Sequence, residues 1–264
     1  QDPTGSSSLS SSAPKGRHRR PLNLQGHAIG SDWPRRVPSG RAGPVLSPHQ
    51  PMNDPLRIAR VRLTHTLPYF APMVMAMRLV ESEKIPFRMA VDSHGRCYWH
   101  PRKCAGVPVD ELAGLLLHEC SHLLRQHHAR AREAGITQPG PELFRWNVAA
   151  DFEINDDQKV LPLPPDCIHP RDLGLPTGQL AEWYLRHLPK PPSPEGSAPG
   201  GKVPAGGSAA DGVPRDYELP ADSETAPGLS PLEQQMLAQE VARGIRALGN
   251  TPAGWRRWAD AVLA

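Results

Sequence analysis

Residues 118–122 read His-Glu-Cys-Ser-His, an HExxH pattern. On an α-helix, positions four apart share a face. His118 and His122 would then present both imidazoles to one ion, while Glu119, one step round, stands beside an open coordination position. Two neutral imidazoles, an open position for water and a carboxylate that takes the water's proton suit a zinc hydrolase acting on a carbonyl. The plain alternative is a surface helix that happens to carry two histidines. Leu112, Leu115, Leu116, Leu123 and Leu124 surround the pair, so this helix is predicted to be buried. Two imidazoles and a carboxylate would be costly there without a metal or a partner.

Two histidines do not hold zinc alone, and the third ligand must come from elsewhere. His127 and His128 follow closely, but in a continuous helix residue 127 has turned about 140° from residue 122. No glycine between Leu123 and Gln126 would break the helix, so His127 is expected behind the ligands or on the surface. A second amphipathic segment, Phe144 to Asn155, places Asn147, Asp151 and Asn155 on one stripe, and the small Ala149 and Ala150 permit close approach of another helix. Asp151 is therefore the expected third ligand. Asn147 is a candidate for orienting an imidazole from behind, and Glu153 points off this stripe. His94, His100, Tyr98 and Arg145 all stay open as oxyanion stabilisers. A separate structural zinc on Cys97, His100 and Cys104 would lack a fourth ligand.

The elements that must position these residues follow from periodicity and breakers. One helix is predicted from about Pro108 to Glu133, with Asp110 and Glu111 in its first turn and Gly135 as its stop. Phe87–Val91, a turn at Asp92–Gly95 and Arg96–Trp99 read as a β-hairpin, whose strand could pair with an extended substrate. A helical region from Pro55 is broken at Pro68 and Pro72, and another helix lies near Thr177 to Leu188. A last helix, Leu232 to Leu248, carries Leu232, Met236, Leu237, Val241, Ile245 and Leu248 as a core-facing stripe.

Composition bounds the rest. The 264 residues include 32 prolines and 23 glycines, clustered in two tracts, so the usable core is smaller than the length suggests. Residues 1–52 have Ser runs and no apolar periodicity, and Lys15, Arg17, Arg19, Arg20, Arg35, Arg36 and Arg41 face only Asp2 and Asp32. This reads as a disordered basic arm. The chain's formal charge is only +3, so the remainder is slightly acidic. The arm lacks interleaved aromatics, which argues for a solvated tail rather than nucleic-acid binding. A second Pro/Gly/Ala/Ser-rich tract, about 189–231, reads as a flexible insertion. Cys97, Cys104, Cys120 and Cys167 show no CxxC spacing, and there is no secretory leader and no apolar run of about twenty residues. A cytoplasmic protein without a membrane span is expected, although a chain beginning at Gln1 leaves room for a removed leader.

Three stretches together, Met89-Ala-Val-Asp-Ser-His-Gly-Arg-Cys-Tyr98, Leu116-Leu-His-Glu-Cys-Ser-His122 and Trp146-Asn-Val-Ala-Ala-Asp-Phe-Glu-Ile-Asn155, carry a family resemblance. The chain resembles the metallopeptidase domain found N-terminal to von Willebrand factor A-like domains in bacteria, from about Pro55 to the C-terminus with the linker excepted. The resemblance implies a zincin-like fold and association with a MoxR-type AAA ATPase. Because the sequence stops at Ala264 after Gly254-Trp-Arg-Arg-Trp258, an excised fragment or a stand-alone variant without the A-like domain is expected. The expectation is an α+β, zincin-like domain over 53–264, mostly helical with a small β-hairpin or sheet beside the HExxH helix. It would act on protein or peptide substrates as a zinc-dependent peptidase, with His118, His122 and Asp151 on zinc and Glu119 as general base. The alternative is a metal-binding, non-proteolytic adaptor working with an AAA ATPase or an A-like partner.

Overall fold

A computed structural model describes residues 55–189, 206–248 and 251–264. The basic arm assigned to residues 1–52 lies outside the described residues, as does the 190–205 part of the second tract. In chain order the helices and strands are α1 Pro55–Thr66, α2 Ala71–Ala76, β1 Arg78–Glu81, β2 Met89–Val91, β3 Arg96–Trp99, α3 Pro101–Cys104, α4 Val109–Leu124, α5 His127–Glu133, α6 Pro141–Asp157, α7 Ala181–His187, α8 Ser208–Asp211, α9 Pro231–Leu248 and α10 Ala253–Val262. The architecture is mostly helical with one small sheet, an α+β arrangement. None of the described helices is long and apolar enough to cross a membrane.

The hairpin forms where the turn residues place it. Gly95 takes φ +75°, and the Asp92 carboxylate accepts the backbone N–H groups of His94 and Arg96, an Asx turn that closes the loop. β2 and β3 pair antiparallel, with Ala90 opposite Tyr98. β1, which was not expected from the sequence, adds a parallel strand on the other side of β3 in the order β1-β3-β2.

The helices bury one face each. Leu56, Ala59 and Leu63 of α1 share a core with Leu112, Leu116, Cys120 and Leu123 of α4. A second cluster joins Trp146, Ala149, Ala150 and Phe152 of α6 to Ala181 and Tyr184 of α7. α9 needs a correction. Its buried stripe is Ala238, Val241, Ala242 and Ile245, whereas Leu232, Met236 and Leu248 are 66%, 61% and 56% exposed. Small residues set this face, because Gly244 lies so near the Tyr69 backbone that an added Cβ would sit 3.4 Å from its Cα, and bulky Leu and Met are turned outward. Helix α10, also unexpected, packs Trp255 into the core against Phe70.

The single helix expected from Pro108 to Glu133 is two helices. Gln126 adopts φ 51°, ψ 42°, a left-handed conformation that costs a non-glycine residue about 1–2 kcal/mol, and α5 starts in a new direction. Glycine was therefore not required for the break. The tract read as a flexible insertion also differs, in its second part. Residues 206–231 are docked: Ala209 and Ala210 are buried, Trp146 Nε1 donates to the Ala210 carbonyl at 2.8 Å, and Arg215 pairs with Asp211 in the interior at 2.6 Å. The reason is polar demand. Arg96 is fully buried, its Nε pairs with Asp92 at 2.6 Å, and its two terminal nitrogens are satisfied by the carbonyls of Pro220 and Leu219. A buried guanidinium without those acceptors would be strongly destabilising.

Candidate metal centre

α4 is buried along nearly its whole length, and α6 packs against it through the stripe that carries Asp151 and Asn155, while Ala149 and Ala150 face the cluster shared with α7 instead. The crossing brings His118, His122 and Asp151 together, as their spacing predicted: one ligand atom from each lies within 4.8 Å of the others. The two Nε2 atoms are 3.1 Å apart, and each is 3.4 Å from Asp151 Oδ1. The histidines are almost wholly buried, while the Asp151 side chain keeps 27% of its exposure. The site therefore opens to solvent on the Asp151 side.

The nitrogens facing away from this point decide what the facing ones can do. His118 Nδ1 lies 2.8 Å from Asn155 Oδ1, and the Asn155 amide is oriented by donating its own Nδ2 to the Ile168 carbonyl at 2.7 Å. Asn155 can then only accept from His118, which puts the proton of a neutral His118 on Nδ1 and leaves Nε2 as a bare lone pair. His122 Nδ1 lies 2.9 Å from His127 Nδ1. Lone pairs aimed at one another beside a carboxylate require a cation between them, either a proton or a metal. The donor set thus fits a metal ion.

In the absence of a metal that cation is a proton, and the electrostatics agree. Burial opposes charge on His118, but the hydrogen bond and charge of Asp151, helped by Glu119 and Asn155, push it up to about 9. Burial equally works against an ionised Asp151, yet the two histidines hold it well below the usual carboxylate range. Glu119 is 6% exposed, and burial raises its carboxyl above the ordinary value despite the nearby histidines and a hydrogen bond from the Val91 backbone. A carboxylate raised toward neutrality beside an electrophilic site suits a general base.

Other residues fall differently from expectation. Asn147 does not orient an imidazole; it donates to the Leu143 carbonyl and to Asp211, and Asn155, two turns further along α6, takes that role. Glu153 lies off the ligand stripe, as expected, and its carboxylate faces His127 Nε2 at 3.5 Å. Tyr98 gives its hydroxyl to Asp92, and Arg145 is spent on Glu142 and the carbonyls of Leu185 and Leu188, so neither is free as an oxyanion stabiliser. Cys97, His100 and Cys104 are not gathered into a metal group among the described residues. The outer edge of β2, one of the edges the hairpin could offer to a substrate, is engaged at Val91, whose N–H serves Glu119 and whose carbonyl abuts Gly207. Two neighbours were missed: Cys167, kept as a thiol by burial that pushes it up to about 12, with Asp151 adding to the effect, and Tyr217, which the charge of Glu119 also touches. Tyr217 belongs to the tract read as linker, so composition concealed it.

A family model described as "Putative metallopeptidase domain" matches residues 52–258. No curated protein and no solved structure matches significantly.

Proposed function

The chain belongs to this metallopeptidase-domain family, and from that premise we propose that it is a zinc-dependent peptidase with a zincin-like active site. The observation that carries the reading is the convergence of His118 Nε2, His122 Nε2 and Asp151 Oδ1 beside a buried Glu119 whose carboxyl is raised. Two imidazoles and one carboxylate are a donor set that zinc accepts with a coordination position to spare. Zinc held there supplies Lewis acidity, which polarises a carbonyl and acidifies water. The protein's own part is to bind, orient and move a proton. His118, His122 and Asp151 hold the ion. The Glu119 carboxylate would take the proton of the attacking water and return it to the departing amine. Burial of the two histidines keeps bulk water from one side, so a peptide would approach past Asp151. Candidate partners are a MoxR-type AAA ATPase and an A-like domain protein, with the cytoplasm as the setting.

The test is metal analysis combined with peptide-library cleavage. Purified protein should carry about one zinc per chain, and Asp151→Ala should lose most of it. Glu119→Gln should keep fold and zinc yet abolish hydrolysis, because an amide cannot accept the proton. Zinc retained in full by Asp151→Ala, or cleavage that survives Glu119→Gln, would overturn the assignment. A zinc-loaded wild type that cleaves no peptide, with or without the ATPase, would favour the non-proteolytic adaptor.

A further inference from the structure

Behind His122, on the side away from Asp151, stands an imidazole that the chemistry above does not use. His127 has no exposed surface. Its ring meets that of His122 nearly edge-on, at 71°, with the two Nδ1 atoms 2.9 Å apart, and its Nε2 faces Glu153 Oε2 at 3.5 Å. Two Nδ1 atoms in contact need one proton between them, so one ring donates and the other accepts. Glu153 settles the direction. Its carboxylate receives Arg125 at 2.7 Å, Arg130 at 2.9 Å and the Ala181 N–H at 2.7 Å, and this company keeps it ionised, so it can only accept. The proton of His127 therefore sits on Nε2, facing the carboxylate, and its Nδ1 offers a lone pair. His122 must then carry its proton on Nδ1, which leaves its Nε2 bare toward His118 and Asp151.

We propose that His127 is a positioning residue for His122, the middle member of a Glu153–His127–His122 relay that fixes which nitrogen of His122 faces the metal centre. The proposal rests on the metal-centre reading above and deepens it. It also accounts for the left-handed Gln126. In a continuous helix residue 127 would stand about 140° away from residue 122, and the break returns its ring to the back of the ligand. His118 receives the same service from Asn155, so each imidazole has its own acceptor and neither is free to turn. Arg125 and Arg130, which hold Glu153, flank the break on either side, so the segment that makes the turn also anchors the relay.

The experiment uses the full chain as wild type, His127→Leu and His127→Gln. Ring 15N–1H correlation spectra of the metal-free protein report the His122 tautomer, and competition against a chromophoric chelator reports zinc affinity. In the wild type His122 should carry its proton on Nδ1. His127→Leu removes the acceptor, so the tautomer should become mixed and zinc affinity should fall about 10- to 100-fold, the range for losing a ligand's supporting hydrogen bond. His127→Gln returns a carbonyl acceptor and should recover most of both, which a purely space-filling role would not require. A His127→Leu protein with an unchanged His122 tautomer and wild-type zinc affinity would overturn the relay. A wild type that takes up no zinc while His122 still holds its proton on Nδ1 would sink the metal-centre reading and uphold the relay.

Discussion

Replacing Trp255 with Ala should be among the most damaging single changes outside the metal centre. The indole is 3% exposed. It meets Phe70 edge-on at 4.7 Å and Trp258 at 5.3 Å, and the Arg125 guanidinium lies over its ring at 4.4 Å. A buried Trp removes about 150–250 Å² from water, which at about 25 cal/mol per Å² is about 4–6 kcal/mol. That is an upper figure, because the unfolded chain already buries part of this surface, and Trp→Ala substitutions in cores cost about 3–5 kcal/mol. The desolvated cation–π contact adds about 1–2 kcal/mol, since Arg125 is itself buried and would lose the ring while keeping Glu153 and Asp157. A loss of about 4–7 kcal/mol is therefore expected in urea unfolding of the metal-free protein, followed by circular dichroism. Trp255→Phe, which keeps an aromatic against Phe70, should lose less than about 2 kcal/mol. A loss below about 1 kcal/mol for Trp255→Ala would mean that α10 does not belong to this core, and the packing argument would fail.

Two shorter predictions probe the docked tract. A Cβ at Gly207 would stand 2.1 Å from the Val91 carbonyl oxygen and 2.7 Å from its carbon, backbone atoms that cannot swing away. Gly207→Ala should thus destabilise by about 1–3 kcal/mol, and an unchanged melting temperature would show that this segment does not rest on β2. Glu218 accepts the Ser208 N–H at 2.7 Å, yet burial outweighs that bond and raises its carboxyl from 4.5 to about 7. A raised folded-state value favours the neutral acid, so its stabilising contribution is complete below pH 4.5 and is lost as pH climbs through 7. Glu218→Gln should therefore gain stability over the wild type from pH 5 to pH 8, and a difference that stays flat or reverses across this range would contradict the burial argument.

What was legible in the sequence followed from local rules. The HExxH helix showed itself because apolar residues on every side of two histidines leave few other uses for them. Asp151 followed because it shares one polar stripe of α6 with Asn147 and Asn155, although the two alanines beside it pack toward α7 rather than toward α4. The hairpin followed from Asp92 and Gly95. What was not legible depended on distant groups. Whether Asn147 or Asn155 orients an imidazole depends on which turn of α6 crosses α4, and both lie on the same stripe. β1 joins the sheet only through its parallel pairing to β3, and nothing in Arg78–Glu81 announces a partner reached across the hairpin.

The Gln126 break and the docking of 206–231 have a common cause, and it explains why propensity misjudged both. Each looks unfavourable locally: a glutamine in a left-handed conformation, and a run of Gly, Ala and Pro with few large apolar side chains. Each is imposed by polar groups buried elsewhere. Arg96 sits in the sheet with no exposed surface and needs two carbonyls, which the tract supplies from Leu219 and Pro220. Glu153 lies inside α6 and needs cations, which Arg125 and Arg130 supply from either side of the break. Leaving either charge unpaired in the interior costs several kcal/mol, more than the about 1–2 kcal/mol of one strained residue. Backbone strain and chain ordering are the smaller terms. The chain therefore bends at Gln126 and docks at Gly207, and both adjustments close around the helix that carries His118 and His122.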